Sequence, residues 1–307
     1  LELDLNVGTL DTDIKSLKKA ARLSIGPELN KRIKQIIDTG LLEIKNDFKI
    51  YWRKFPIAKL LPGKDYLDPE LSLIIDDIVE VLEQKKLQEY LEKWINGKIS
   101  FVLKSLIDLR SLKESNSSIR ALAYQLYENN GVLKREKVSD YLKKLGQDER
   151  KILRNMGVKF GRYHVFLFKL LKPEAVSLRI LLWKNYHQKF YNLKPPTFGL
   201  NFLENKDFKN KNFMLLCGFE NFDKYFVRID ILERLFVQII NSNADKKAEI
   251  KLIPEMLNLL GCSKDNFLKL LQEMNYKTSK KNNEFYFKYA PVKQKVKKSI
   301  NNVRKSD

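Results

Sequence analysis

The stretch of sequence that says most about the fold is 254–289, PEMLNLLGCSKDNFLKLLQEMNYKTSKKNNEFYFKY. Pro254 suits the first turn of a helix, which Gly261 then ends. The tight turn 261–263 leads into a second helix over 264–275. Strand-like residues on both sides of the polar segment 280–283 then predict a β-hairpin.

The neighbouring residues extend this unit in both directions. Asp230 and Glu233 have the spacing of a capping box and predict a helix over 231–240, followed by a short strand over 249–253. Helix, strand, helix, turn, helix and hairpin in this order are typical of a winged helix. We therefore expect a winged-helix-like unit over 226–290. Residues 291–307 are basic and of low complexity, which predicts a disordered tail that contacts phosphates through Lys293 and Lys295.

The upstream sequence predicts mostly helices. Residues 1–63 suggest a small α+β segment, with a helical pattern interrupted at Gly26-Pro27 and a short hairpin over 41–52. Residues 64–190 predict a helical domain that begins near Asp68, with one apolar stripe running from Leu71 to Leu82. An aromatic strand over 158–171 lies inside this domain, and 191–225 suggests an irregular connector. The fold class expected is mainly α: a multi-helix bundle with a short β-hairpin, an inserted aromatic strand and the C-terminal winged-helix-like unit.

Composition points to a polyanionic partner. The 307 residues contain 58 Lys and Arg against 38 Asp and Glu, a formal net charge of +20. Cationic side chains that neutralise phosphates release condensed counterions, which favours nucleic-acid binding. The alternative is that AT-rich coding enriches lysine without a function. No apolar run is long enough to span a membrane, so no membrane contact is expected. The start has neither Met nor a basic leader, which predicts a cytoplasmic fragment of a longer protein.

Catalytic motifs are missing from the sequence. Gly157 and Gly161 do not complete a phosphate-binding loop, since an aromatic strand rather than a helix follows them. Cys217 and Cys262 do not have metal-ligand spacing. We therefore expect no catalytic residue, no metal site and no cofactor in this chain.

Two segments combine positive charge with aromatic rings. Lys159, Arg162 and Tyr163 suit a single strand, because rings stack on bases while cations follow the backbone; a buried strand with lysines at its ends fits equally well. His164 could stack on a base, although a histidine in such a segment is more often a core residue. In the C-terminal unit, the hairpin lysines Lys277, Lys280 and Lys281 are better suited to phosphates than to base edges.

Several motifs together resemble one protein family. They are MGVKFGRYHVF at 156–166, LLKPE at 170–174, RALAYQL at 120–126, PIAKL at 56–60 and VRIDILERL at 227–235. In these residues the chain resembles the C-terminal region of bacterial superfamily-two ATP-dependent helicases related to the mitochondrial degradosome RNA helicase. The resemblance extends over roughly residues 40–275.

This resemblance implies an accessory role. The parent protein would carry two RecA-like motor domains N-terminal to this chain, with ATP and Mg bound there, and this chain would guide single-stranded RNA or DNA beside the motor. ATP hydrolysis would belong to the parent, because the ATPase motifs are absent here. The principal alternative is a basic helical scaffold or protein-interaction domain without nucleic-acid activity. A transcription regulator is a weaker alternative, since the predicted recognition helix 264–275 has few side chains suited to base edges.

Overall fold

A computed structural model describes residues 14–75, 79–112, 117–205, 210–242 and 249–290. These residues form two compact units. The first comprises the described chain up to Pro196 together with Leu216–Gly218, and the second comprises Thr197–Leu215 and the described residues from Phe219 onward.

The first unit begins with a helix and an antiparallel sheet of four strands in sequential order. The elements are α1 (Ile14–Thr39), β1 (Leu42–Ile44), β2 (Lys49–Trp52), β3 (Phe55–Leu61) and β4 (Glu70–Leu73). The hairpin expected over 41–52 is present as β1 and β2. The break expected at Gly26-Pro27 is wrong, because α1 continues through Pro27. Leu29, Ile33 and Ile36 form a buried stripe at helical spacing beyond the proline, and their packing outweighs the missing backbone hydrogen bond.

The expected start of the helical domain is also wrong. Residues 70–73 form β4, which pairs with β3 so that Leu71 lies opposite Leu60. The next helix, α2 (Val81–Val102), begins later, and Leu82 is 61% exposed rather than buried. The physical reason is that Leu71 and Leu73 also fit the two-residue period of a strand. Backbone hydrogen bonds to β3 then stabilise the strand rather than a helix.

Five further helices complete the first unit around a second sheet. The helices are α3 (Lys104–Arg110), α4 (Ser117–Glu128), α5 (Ser139–Lys144), α6 (Gln147–Asn155) and α7 (Pro173–Tyr186). The sheet contains β5 (Val132–Lys134), β6 (Val158–Phe160) and β7 (His164–Leu167) in the order β5-β7-β6. The aromatic segment is therefore one hairpin and one turn of 3-10 helix rather than a single inserted strand. Its central strand β7 is buried along its whole length.

The second unit carries two three-stranded sheets. Its first elements are β8 (Phe202–Glu204), α8 (Lys211–Leu216), β9 (Phe219–Phe222) and β10 (Tyr225–Arg228), with strand order β8-β10-β9. They are followed by α9 (Ile229–Ser242), β11 (Ile250–Lys251), α10 (Pro254–Leu260), α11 (Lys264–Glu273), β12 (Tyr276–Lys281) and β13 (Glu284–Tyr289), with strand order β11-β13-β12.

The irregular connector expected from 191 to 225 therefore contains regular structure. β10 has three consecutive buried residues, Tyr225, Phe226 and Val227, and it provides hydrogen-bonding partners for β8 on one side and β9 on the other. Strands of three or four residues among Asn and Lys leave no measurable periodicity, so only the pairing reveals them.

The mainly-α fold class is overturned by these findings. The described residues contain eleven α-helices together with four antiparallel sheets, so the protein is a mixed structure of helices and sheets and not a helical bundle. Most of the strands that the sequence did not predict span only three or four residues, and several of them pair with distant parts of the chain. None of the helices within the described ranges is long and apolar enough to cross a membrane.

Candidate nucleic-acid interface

The β12–β13 hairpin has one buried and one outward face. Register places Thr278 opposite Phe287 on one face, and Phe287 is 1% exposed, so that face packs on the core. The alternate residues lie on the other face, which we call the outer face. Its members are Lys277, Ser279 and Lys281 on β12, Glu284, Tyr286 and Lys288 on β13, and Lys251 on β11.

Two lysines lie directly opposite each other on the outer face. Lys277 pairs in register with Lys288, both side chains are exposed, and the described residues provide neither of them with an ion pair. Like charges at directly opposed positions of an antiparallel pair destabilise the sheet. The pair therefore keeps a positive charge next to Tyr286 at a cost in stability, which an anion bound between the two ammonium groups would remove.

The other lysines of the outer face have carboxylate partners. Lys251 forms an ion pair with Glu284, and Lys281 forms one with Glu249. Tyr286 donates its hydroxyl hydrogen to Glu284 Oε2 at 3.0 Å. Hydrogen bonds from Lys251 and Tyr286 lower the pKa of the Glu284 carboxyl. Among the predicted lysines, Lys281 is thus partly neutralised, whereas no described carboxylate forms an ion pair with Lys277.

Lys280 lies near the hairpin tip on the opposite face. Its Nζ is 5.7 Å from the centroid of the Phe285 ring, and the Nζ of Lys264, the first residue of α11, is 4.0 Å from the same ring. Cations over an aromatic face are held by its quadrupole. Two cations therefore meet at one half-buried ring, close to the turn that joins β12 and β13. Lys264 and Lys288 were not among the residues selected from the sequence, although both belong to the quoted stretch.

The other predicted residues lie on the β6–β7 hairpin of the first unit. Lys159 and Arg162 are exposed, and Tyr163 is half-buried. His164 is 1% exposed at the start of β7, so its ring cannot stack on a base at the surface. Lys159 thus lies on β6, Arg162 and Tyr163 lie in the turn before β7, and His164 lies in the core.

Two arginines that sequence reasoning missed lie beside this hairpin. The guanidinium carbons of Arg150 and Arg154 on α6 are 5.9 Å and 5.7 Å from the centroid of the Phe160 ring on β6. Arg150 also donates to the carbonyl oxygens of Leu142 and Leu145, which anchors it. Arg154 is exposed. Their spacing of four residues on a helix was the available signal.

One further arginine has a structural position. Arg179 on α7 is fully buried, and its guanidinium donates to the carbonyl oxygens of Asn130, Leu170 and Leu216. Burial lowers the pKa of Arg179 to about 10, and burial raises the pKa of the nearby Cys217 thiol to about 12. These groups are inaccessible to a polyanion and stabilise the first unit instead.

The remaining predictions concern ions and the tail. Lys293 and Lys295 lie outside the described residues. Over the ranges that the structure covers, no group of three or more His, Cys, Asp or Glu side chains could hold a metal ion. Comparisons of the chain with protein-family models, with curated proteins and with solved structures find no match.

Proposed function

We propose that this chain binds single-stranded nucleic acid through the phosphate backbone, as the C-terminal accessory region of an ATP-dependent helicase. The binding part of the proposal is carried by one observation, the directly opposed pair Lys277 and Lys288 beside Tyr286, which has no ion-pair partner among the described residues. The helicase part is supported by the sequence resemblance alone. The motor, its ATP and its Mg would belong to other domains of the same polypeptide, and a cytoplasmic location stays a prediction.

The hairpin chemistry favours phosphates over base edges. Lysine carries a point charge on a flexible stem, which suits a phosphate but discriminates poorly between bases. Tyr286 presents a half-buried ring on the same face as the lysine pair, and rings accept bases of any identity. The expected activity is therefore weak, sequence-independent binding that depends steeply on salt.

The test is a salt titration of binding. The 307-residue chain is mixed with fluorescein-labelled 20-mers of dT or U, and the dissociation constant is measured by anisotropy from low to moderate salt. For single strands the slope of log K against log salt is about −0.7 per phosphate neutralised. The double variant Lys277→Gln/Lys288→Gln should make this slope shallower by about 1.4.

A charge-matched control separates a site from diffuse charge. Lys85→Gln/Lys93→Gln also removes two positive charges, but from exposed positions of α2, and it should leave the salt slope unchanged. Equal changes in the salt slope for both double variants would contradict a binding site on the hairpin. They would favour the alternative in which lysine is enriched by AT-rich coding and has no binding function. Absence of binding by the unmodified chain at low salt would overturn the proposed function.

A further inference from the structure

An aromatic cluster covers the end of α7 and the residues that follow it. Its members are Trp183, Tyr186, His187, Phe190 and Tyr191. The rings of Trp183 and Phe190 are stacked, with centroids 4.8 Å apart and planes at 12°. His187 contacts Trp183 at 4.9 Å and Tyr186 at 5.0 Å. Ring contacts therefore link four of these residues, from Trp183 to Phe190, and Tyr191 follows directly in the chain with its ring against Phe48.

The aromatic cluster is not a closed core. Tyr186 is 39% exposed and Tyr191 is 49% exposed, and Trp183, His187 and Phe190 are each partly exposed. Tyr186 follows Leu178 and Leu182 at the spacing of a buried helix face, yet its side chain is exposed. Partly exposed rings cost hydration free energy, and a grouping of them on one surface marks a binding site more often than scattered apolar residues do.

The charged side chains next to the aromatic cluster in the sequence are all positive. From 175 to 203 there is no Asp or Glu, whereas Lys184, Lys189 and Lys194 are interleaved with the rings. Lys189 Nζ is 5.0 Å from the Phe190 centroid, and Lys184 Nζ is 5.6 Å from the Tyr191 centroid. Each of these two lysines thus holds its ammonium group against a ring of the aromatic cluster and places positive charge beside it.

We infer that the aromatic cluster is a stacking platform for the bases of a single-stranded nucleic acid, which rests on the proposed function. Unpaired bases expose their faces and stack on aromatic side chains, while lysines follow the backbone. Paired bases in a duplex keep their faces occupied, so the platform discriminates single from double strands. Burial and Lys189 lower the pKa of His187, and its neutral ring belongs to the apolar surface of the platform.

The first test removes a ring without changing charge. Tyr186→Ala should weaken binding of the full chain to a labelled dT 20-mer by about tenfold, the loss of one stacked base. The salt slope should stay unchanged, because no cation is lost. Tyr186→Phe should keep full affinity. Tyr124→Ala on α4 is the matched control, since Tyr124 is 60% exposed in the same unit but outside the aromatic cluster, and it should bind as the unmodified chain does.

A second measurement uses Trp183 as a reporter. Base stacking should quench tryptophan fluorescence on addition of the dT or U 20-mer, and Trp183→Phe should abolish most of that quenching. Similar binding of the U and dT 20-mers supports recognition of the base faces that both polymers share. Melting curves of each variant confirm that it is folded.

The outcomes separate this inference from the function on which it rests. Normal affinity of Tyr186→Ala, together with a shallower slope for Lys277→Gln/Lys288→Gln, overturns the platform and leaves the proposed function standing. An equal loss for a hairpin duplex and for the single strand also overturns it, because base faces would not be involved. Absence of any binding by the unmodified chain removes both.

Discussion

The β6–β7 and β12–β13 hairpins have similar compositions and opposite environments. Both combine lysines with aromatic residues, and the sequence predicts a binding role for both. In β7 every residue from His164 to Leu167 is buried, so the charges at the surface belong to β6 and to the turn. In β12 and β13 the residues alternate, with Phe287 in the core and Lys277 and Lys288 outside.

The difference arises from the number of covered faces. β7 is the central strand of β5-β7-β6 and packs into the main core of the first unit, which also holds β7's neighbour Leu170. β13 is central too, yet only one face of its sheet packs on the core. A central strand with both faces covered has its side chains in the core. A central strand with one open face has side chains at the surface, where they can contact a ligand.

The largest expected effect concerns Arg179, which holds the loop before β5 and the segment after β7. Arg179→Leu should lower the free energy of unfolding by about 3–5 kcal/mol, since three buried carbonyl groups lose their charged donor. The measurement is urea denaturation followed by circular dichroism. Arg154→Leu, on the exposed side of α6, loses only its contact with the Phe160 ring and should change stability by no more than about 1 kcal/mol. A similar small effect of both would contradict the structural role of Arg179.

A smaller loss is expected from His164. His164→Ala leaves a cavity at a position that is 1% exposed and should cost about 2–4 kcal/mol of unfolding free energy. The affinity of the folded variant for a dT 20-mer should change less than about twofold, because the ring does not reach the surface. Anisotropy at a temperature well below the melting transition measures this. A large loss of affinity in a stable variant would show that β7 is a binding strand after all.

Replacement of the lysine pair, unlike that of Arg179 or His164, should raise the stability of the fold. Lys277→Gln/Lys288→Gln removes a repulsion between directly opposed charges and should raise stability by a few tenths of a kcal/mol at low salt. The gain should vanish in high salt, where charges at the surface are screened. Thermal melts at two salt concentrations measure the effect. A loss of stability would mean that the stems of the lysines pack usefully, and that the pair is not retained for a ligand.

The smallest effect concerns pH and Glu284. Its carboxyl has a pKa lowered below the ordinary value of 4.5 by Lys251 and Tyr286. A lowered pKa in the folded state means that the stabilisation is present above pH 4.5 and is lost as pH falls through the lower folded value. The side chain is exposed to solvent, so the change is slight. Comparison of melting temperatures between pH 6 and pH 3 for the unmodified chain and Glu284→Gln should show a smaller decrease in the variant.

The sequence allowed part of this structure to be predicted. The order of elements expected after Asp230 is the order present, because a capping residue at Ser263 and a glycine at Gly261 with a φ of +68° fix helix ends locally. The start of α2 and the strands β4, β8 and β9 were missed. Their residues fit more than one period, and the choice depends on partners elsewhere in the chain.

Some features of the candidate site could likewise be predicted from the sequence, and others could not. The excess of Lys and Arg, the hairpin lysines and the missing catalytic motifs could be read from the sequence, because charge and motif spacing are local properties. The opposed pair Lys277 and Lys288, the arginines around Phe160, the burial of His164 and the exposure of Tyr186 required the tertiary structure. Register between strands and the covering of a face depend on distant residues, and no local pattern contains that information.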